Sequence, residues 1–125
     1  MRRVLVLALT LLTVGCHNSQ PPMAHGKQVG EWVAALRDPD AKTRKKAAGV
    51  LGNVGAVDPA VVPALADAVR DRDPAVRAEA ALALMKIGPA ARGAAPALAE
   101  AQKDANPTVR QYAAKALERV RAEEK

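Results

Sequence analysis

Shifted by 33 residues, the chain matches itself, and no other feature constrains its fold as tightly. Asp40, Asp73 and Asn106 align, as do Arg44, Arg77 and Arg110. The pairs Ala47-Ala48, Ala80-Ala81 and Ala113-Ala114 stay in register, followed by Leu51, Leu84 and Leu117, then Val54, Ile87 and Val120. Upstream, the run 61–71 matches the run that ends at Asp104. The more divergent first copy, 28–38, keeps Ala35 and Asp38 and carries Trp32 in place of Leu65. A fixed period of this length belongs to stacked-unit architectures, in which each unit buries its apolar face against the next. A single unit cannot bury that face alone, so about three are needed.

Each unit contains two helical patterns. The second is the clearer one. Asp73 is placed to cap a helix, because its carboxylate can accept the unpaired N–H groups of the first turn. Pro74 follows at the first helical position, where a missing N–H costs nothing. Asn106-Pro107 repeats the arrangement, and Asp40-Ala41 keeps the cap alone. Val76, Ala80, Leu84 and Ile87 then form one apolar stripe that ends at Gly88, a residue suited to a helix C-terminus. First helices are expected over roughly 28–37, 60–70 and 90–103. Strand periodicity is lacking and alanine dominates, which excludes a β fold. Half the residues are hydrophobic but only 2% are aromatic and Phe is absent, so the core must be built from Ala, Val and Leu. The expected fold is an all-α solenoid of three helix pairs, with repeats at about 28–55, 60–88 and 90–122 and a polar tail at 123–125.

The N-terminus reads differently. Arg2 and Arg3 precede an apolar run from Val4 to Val14, which is too short to span a bilayer and suits the core of an export signal. Gly15 stands just before Cys16, the single cysteine. This stretch resembles a bacterial lipoprotein signal. The resemblance implies cleavage after residue 15 and lipid attachment at Cys16. The position three before the cysteine is usually Leu; here it is Thr13, with Leu12 one step back. The alternative is an ordinary cleaved leader with an incidental thiol, which could form no internal disulfide. Loss of Arg2 and Arg3 with the leader lowers the formal charge from +6 to +4. Residues 16–27 then read as a tether, polar and Pro-containing. Export removes nucleic acid from the expected partners. His17 follows the cysteine in place of the aspartate that marks inner-membrane retention in enteric bacteria, which favours the periplasmic side of the outer membrane.

The helix pair with "DPAVRAEAALALMKIG" (73–88) as its second member resembles the HEAT-repeat proteins, above all the short bacterial repeats named after phycobilisome lyases. The resemblance covers residues 28–122. It implies a protein-binding scaffold, and it implies that Arg44, Arg77 and Arg110 brace neighbouring repeats through the cap acids Asp40 and Asp73 or through loop carbonyls. The iron-binding relative deoxyhypusine hydroxylase uses His-Glu pairs, and this chain has none. Bilin lyase activity is not implied, since only the scaffold repeat is shared.

The residue inventory points away from catalysis. His17 and His25 both lie in the tether, and no His, Cys and acid cluster has metal-ligand spacing. No cofactor is expected, and the expected protein is not an enzyme. Candidate contacts lie on the outer face of the second helices, opposite the apolar stripe. That face comprises Ala78, Glu79, Leu82, Met85 and Lys86, with Lys45, Lys46, Gly49, Gly52 and Asn53 in the first unit and Gln111, Tyr112, Lys115, Glu118 and Arg119 in the third. Lys45, Lys46, Leu82, Met85, Tyr112 and Lys115 are the candidate protein-binding residues, with Leu82 and Met85 expected to be exposed. Burial of Leu82 against a terminal cap or a second copy is an alternative. So is recognition of anionic glycan or lipid headgroups by Arg44, Lys45 and Lys46. Trp32 reads either as a ligand anchor or as a cap on the open end of the stack. The resulting expectation is a lipid-anchored adaptor that binds a protein, with an accessory or sensor subunit of an envelope enzyme as the alternative and an enzyme as a remote one.

Overall fold

A computed structural model describes residues 23–24 and 27–122. The leader, Cys16, His17, His25, most of the tether and the tail 123–125 lie outside the described residues. The described chain runs β1 (Met23–Ala24), β2 (Lys27–Gln28), α1 (Val29–Ala35), α2 (Ala41–Val54), α3 (Val61–Ala68), α4 (Pro74–Ile87), a 3-10 segment (Gly88–Ala94), α5 (Ala95–Ala101) and α6 (Pro107–Val120). α1 packs on α2, α3 on α4 and α5 on α6, while α4 packs on both α2 and α6. The result is an all-α stack of three helix pairs, with the second helices side by side in one layer.

The second helices begin where the caps require. Asp40 Oδ2 accepts from Thr43 N at 3.2 Å and from its hydroxyl at 3.0 Å. Asp73 Oδ1 accepts from Ala75 N and Val76 N, and Asn106 Oδ1 from Thr108 N and Val109 N. These bonds satisfy N–H groups that the first turn leaves unpaired. α2 and α4 stop at Gly55 (φ 80°) and Gly88 (φ 74°), left-handed positions that only glycine occupies without strain.

Two sequence expectations need correction. The third first-helix was expected to run through 90–103, but the chain first takes a 3-10 path over Gly88–Ala94. The backbone leaves helical geometry at Ala91 (φ −93°, ψ 16°), and α5 starts only at Ala95. The physical reason is Pro96. It fits the first turn of a helix and excludes its own N–H from any earlier helical ladder. The second correction concerns the tether. Met23 pairs with Gln28 and Ala24 with Lys27 in a short antiparallel ribbon, so ordered structure begins before residue 28.

The core is aliphatic. Leu51, Leu65, Leu84 and Leu98, one from each of α2 to α5, are fully buried with Val29, Val61, Val76, Val109 and Val120. Of the α4 stripe, Val76, Ala80 and Leu84 are buried, and Ile87 is half-buried at the helix end. Trp32 is 4% exposed. The Lys27 and Lys46 ammonium groups stand 5.0 and 5.8 Å from its ring centroid, a cation–π arrangement at the first end of the stack.

Candidate functional site

The arginine series is a structural ladder, and its acid is not the one expected from the sequence. Arg44 Nη1 donates to the carbonyls of Asp38 (2.8 Å) and Pro39 (3.0 Å), within its own unit. Its Nε and Nη2 then grip both carboxylate oxygens of Asp71, in the next unit, at 2.9 and 3.1 Å. Arg77 repeats this one period on. It donates to the carbonyls of Asp71 and Arg72, and its Nη2 reaches Asp104 Oδ1 at 3.1 Å. Its Nε lies 2.8 Å from Asp104 Oδ2 but out of line for a hydrogen bond, so that contact is one of charge. Asp40 and Asp73, the expected partners, are occupied in capping. The true partners also fold their own loops, since Asp38, Asp71 and Asp104 each accept the backbone N–H two residues on. Arg110 donates to the carbonyls of Asp104 and Ala105 and forms no ion pair among the described residues.

Electrostatics follow from this geometry. The hydrogen bonds that Arg44 donates to the Asp71 carboxylate raise Arg44 above its already high value. Burial pushes the Asp104 carboxyl up, but the Asn106 N–H and the Arg77 guanidinium outweigh it and hold the group below the usual carboxylate range. The Thr43 hydroxyl lowers Asp40 in the same way.

The six candidate contact residues do not form one patch. Lys45, Leu82 and Tyr112, one from each second helix, line a single groove of about 390 Å³ together with Ala78 and Glu79. Pro74 and Ala75 close one end of it, beside Asn106 and Thr108. Lys46 points elsewhere, over Trp32. Lys115 lies at the far end of the stack beside Glu118 and Arg119. Met85 was expected to be exposed and is instead half-buried against the core. Leu82 is half-buried in the groove rather than exposed.

The expected outer face is in fact largely where second helices meet. Ala78 is buried. A Cβ built on Gly52 would lie 2.7 Å from Ala83 Cα, so Gly52 is a point of backbone contact between α2 and α4. A Cβ on Gly49 would lie 3.1 Å from Glu79 Oε1, so the Glu79 side chain runs across that glycine. Sequence reasoning placed Glu79 on the contact face without choosing it as a contact residue, and it missed Asp71 and Asp104 as ladder partners. The signal for the two aspartates was present, since they align with Asp38 at the repeat period.

Among the described residues no group of three His, Cys, Asp or Glu side chains could hold a metal ion, and no helix is long and apolar enough to cross a membrane. No curated protein matches the chain. Residues 30–118 match the family of HEAT repeats, a span that runs from the first helix to the last. The match agrees with the all-α stack of helix pairs, and the chain belongs to the HEAT-repeat family.

Proposed function

We propose that this protein is a non-enzymatic adaptor that binds another protein through the groove between its second helices. HEAT repeats generally mediate protein–protein interaction. The observation that carries the reading is the convergence of Lys45, Leu82 and Tyr112 from three successive units on one recess. A cation, an aliphatic wall and a phenol side by side give charge, apolar contact and hydrogen bonding within reach of one segment of a partner. Catalysis would need a nucleophile, an acid–base pair or a metal ligand set, and the groove's titratable residues are Lys45, Glu79 and Tyr112.

The adaptor is held at a bacterial envelope membrane by lipid on Cys16, on the periplasmic side and at the outer membrane. This part of the reading rests on the leader sequence: two arginines, an apolar run of signal length, and Gly15 before the single cysteine. The Pro-containing stretch after Cys16 sets the domain off from the bilayer.

Crosslinking in cells tests both parts. A partner captured by the native chain should be lost with Leu82→Asp or Tyr112→Asp, in variants whose helical circular dichroism is unchanged. Lys45→Glu, at an exposed position, should weaken capture without touching the packing. Capture that ignores all three substitutions removes the groove from the mechanism. A metabolic fatty-acid label should appear on the native chain and vanish with Cys16→Ala; labelling that survives the change refutes the anchor.

A further inference from the structure

The inference here rests on the protein-binding reading of the groove and adds the chemistry of its occupant. The two kinds of helix carry opposite charge. α2, α4 and α6 hold nine basic and two acidic residues. α1, α3 and α5 hold Glu31, Asp67 and Glu100 and no base. The ladder accounts for two of the nine, because Asp71 and Asp104 neutralise Arg44 and Arg77. It does not account for Lys45 and Lys115, which are exposed and make no hydrogen bond or ion pair among the described residues. Like charges gathered on adjacent helices repel one another and lower stability. Nothing in the packing requires them there. Among the described residues, Lys45 is the base and Glu79 the acid lining the groove.

We propose that the groove takes an extended acidic segment of the partner protein. One apolar side chain of that segment sits against Leu82 and Tyr112. Flanking carboxylates reach Lys45 on the α2 side and Lys115, one turn beyond Tyr112, on α6. A bilayer surface fits the same charge less well. A face that docks on anionic lipid presents large apolar side chains outward, whereas Leu82 and Tyr112 are half-buried in a recess. Among the described residues the exposed large apolar side chains, Met23 and Val57, lie in β1 and in the loop after α2. The recess is also shared by three helices, which suits a segment laid across them.

The full chain is offered a displayed library of random dodecapeptides. The selected peptides should carry an excess of Asp and Glu around a Leu, Phe or Tyr. Binding of a synthetic representative should weaken steeply with salt and by roughly tenfold in the double variant Lys45→Glu, Lys115→Glu. It should not change in Arg37→Glu, Lys103→Glu, which alters the net charge equally at exposed positions outside the second helices. Selection without an acidic excess, no selection at all, or equal weakening in both double variants overturns the proposal. So does binding of phosphatidylglycerol vesicles through the same lysines without any selected peptide. If Leu82→Asp abolishes crosslinking in cells while no acidic peptide is selected, the groove stands as a docking site and only its acidic occupant falls. If crosslinking ignores Leu82→Asp and Tyr112→Asp, both readings fall together.

Discussion

Gly52→Ala and Gly30→Ala are the same chemical change, and the structure assigns them opposite signs. Both glycines are helical, so alanine should gain up to about 1 kcal/mol from reduced backbone freedom in the unfolded chain. At Gly30, on exposed α1, a Cβ meets nothing within 4 Å, so the gain is kept and Gly30→Ala should stabilise by roughly 0.4–1 kcal/mol. At Gly52 the new carbon would lie 2.7 Å from Ala83 Cα and 2.8 Å from its Cβ, separations that force the backbones of α2 and α4 apart. Overpacking of this kind costs about 1–3 kcal/mol. The cost exceeds the gain by roughly 1 kcal/mol, which in a domain of this size lowers the melting temperature by about 4–8 °C. Urea unfolding followed through Trp32, the single tryptophan, measures both variants. The double variant Gly52→Ala, Ala83→Gly removes the Cβ that the new one meets and should show a favourable coupling of about 0.5 kcal/mol or more. Stabilisation by Gly52→Ala would refute the close contact of α2 with α4.

The other perturbations follow from burial and the ladder. Leu84→Ala removes a fully buried side chain from the middle unit and should cost about 2–5 kcal/mol in a chemical melt. Arg44→Met strands the Asp71 carboxylate and two carbonyls and should lower the urea midpoint clearly. Arg110→Met, which breaks no ion pair, should lower it far less; equal effects would mean that the carboxylates contribute nothing. Asp40 and Asp104 both titrate lower in the folded chain than in the unfolded one. Their contribution is therefore full above the unfolded value, about 3.9, and is lost as pH falls through the folded values. Stability should hold down to about pH 5 and drop below about pH 4, and Asp104→Asn should flatten that acid limb. A limb unchanged by Asp104→Asn would remove the residue from the linkage.

The layered helices were legible in the sequence because their causes are local. A cap residue, a proline at the first helical position and an apolar stripe lie within one helix, and their recurrence at 33 residues needs only the chain itself. The ladder was half legible for the opposite reason. Arg44 reaches carbonyls of its own loop, close in sequence, but its acid stands 27 residues away in the next unit. Local proximity pointed to Asp40, which is already committed to the first turn of α2. The third first-helix was expected over 90–103 from the repeat alone, but the fold places Pro89 in the 3-10 segment and Pro96 in the first turn of α5, which starts at Ala95.

The residues that fail to repeat carry the larger lesson. Gly49 and Gly52 in the first unit become Leu82 and Met85 in the second and Lys115 and Glu118 in the third. Read along the chain, this looks like a variable surface. Read through the stack, each pair faces a different neighbour. Gly52 meets the α4 backbone at a distance where any side chain would collide, and the Glu79 side chain of α4 runs across Gly49. One period on, the same face of α4 turns toward α6, and there Leu82 walls the groove with Tyr112 while Met85 is drawn against the core. Another period on, the face meets no further helix of the described chain, and Lys115 and Glu118 are exposed, as suits the polar outer side of a terminal unit. The groove therefore arises from the one position in the stack where the repeat is neither tight enough for glycine nor open enough for charge. On the proposed reading, that single step between α4 and α6 is where a partner is selected, with Lys45 beside it.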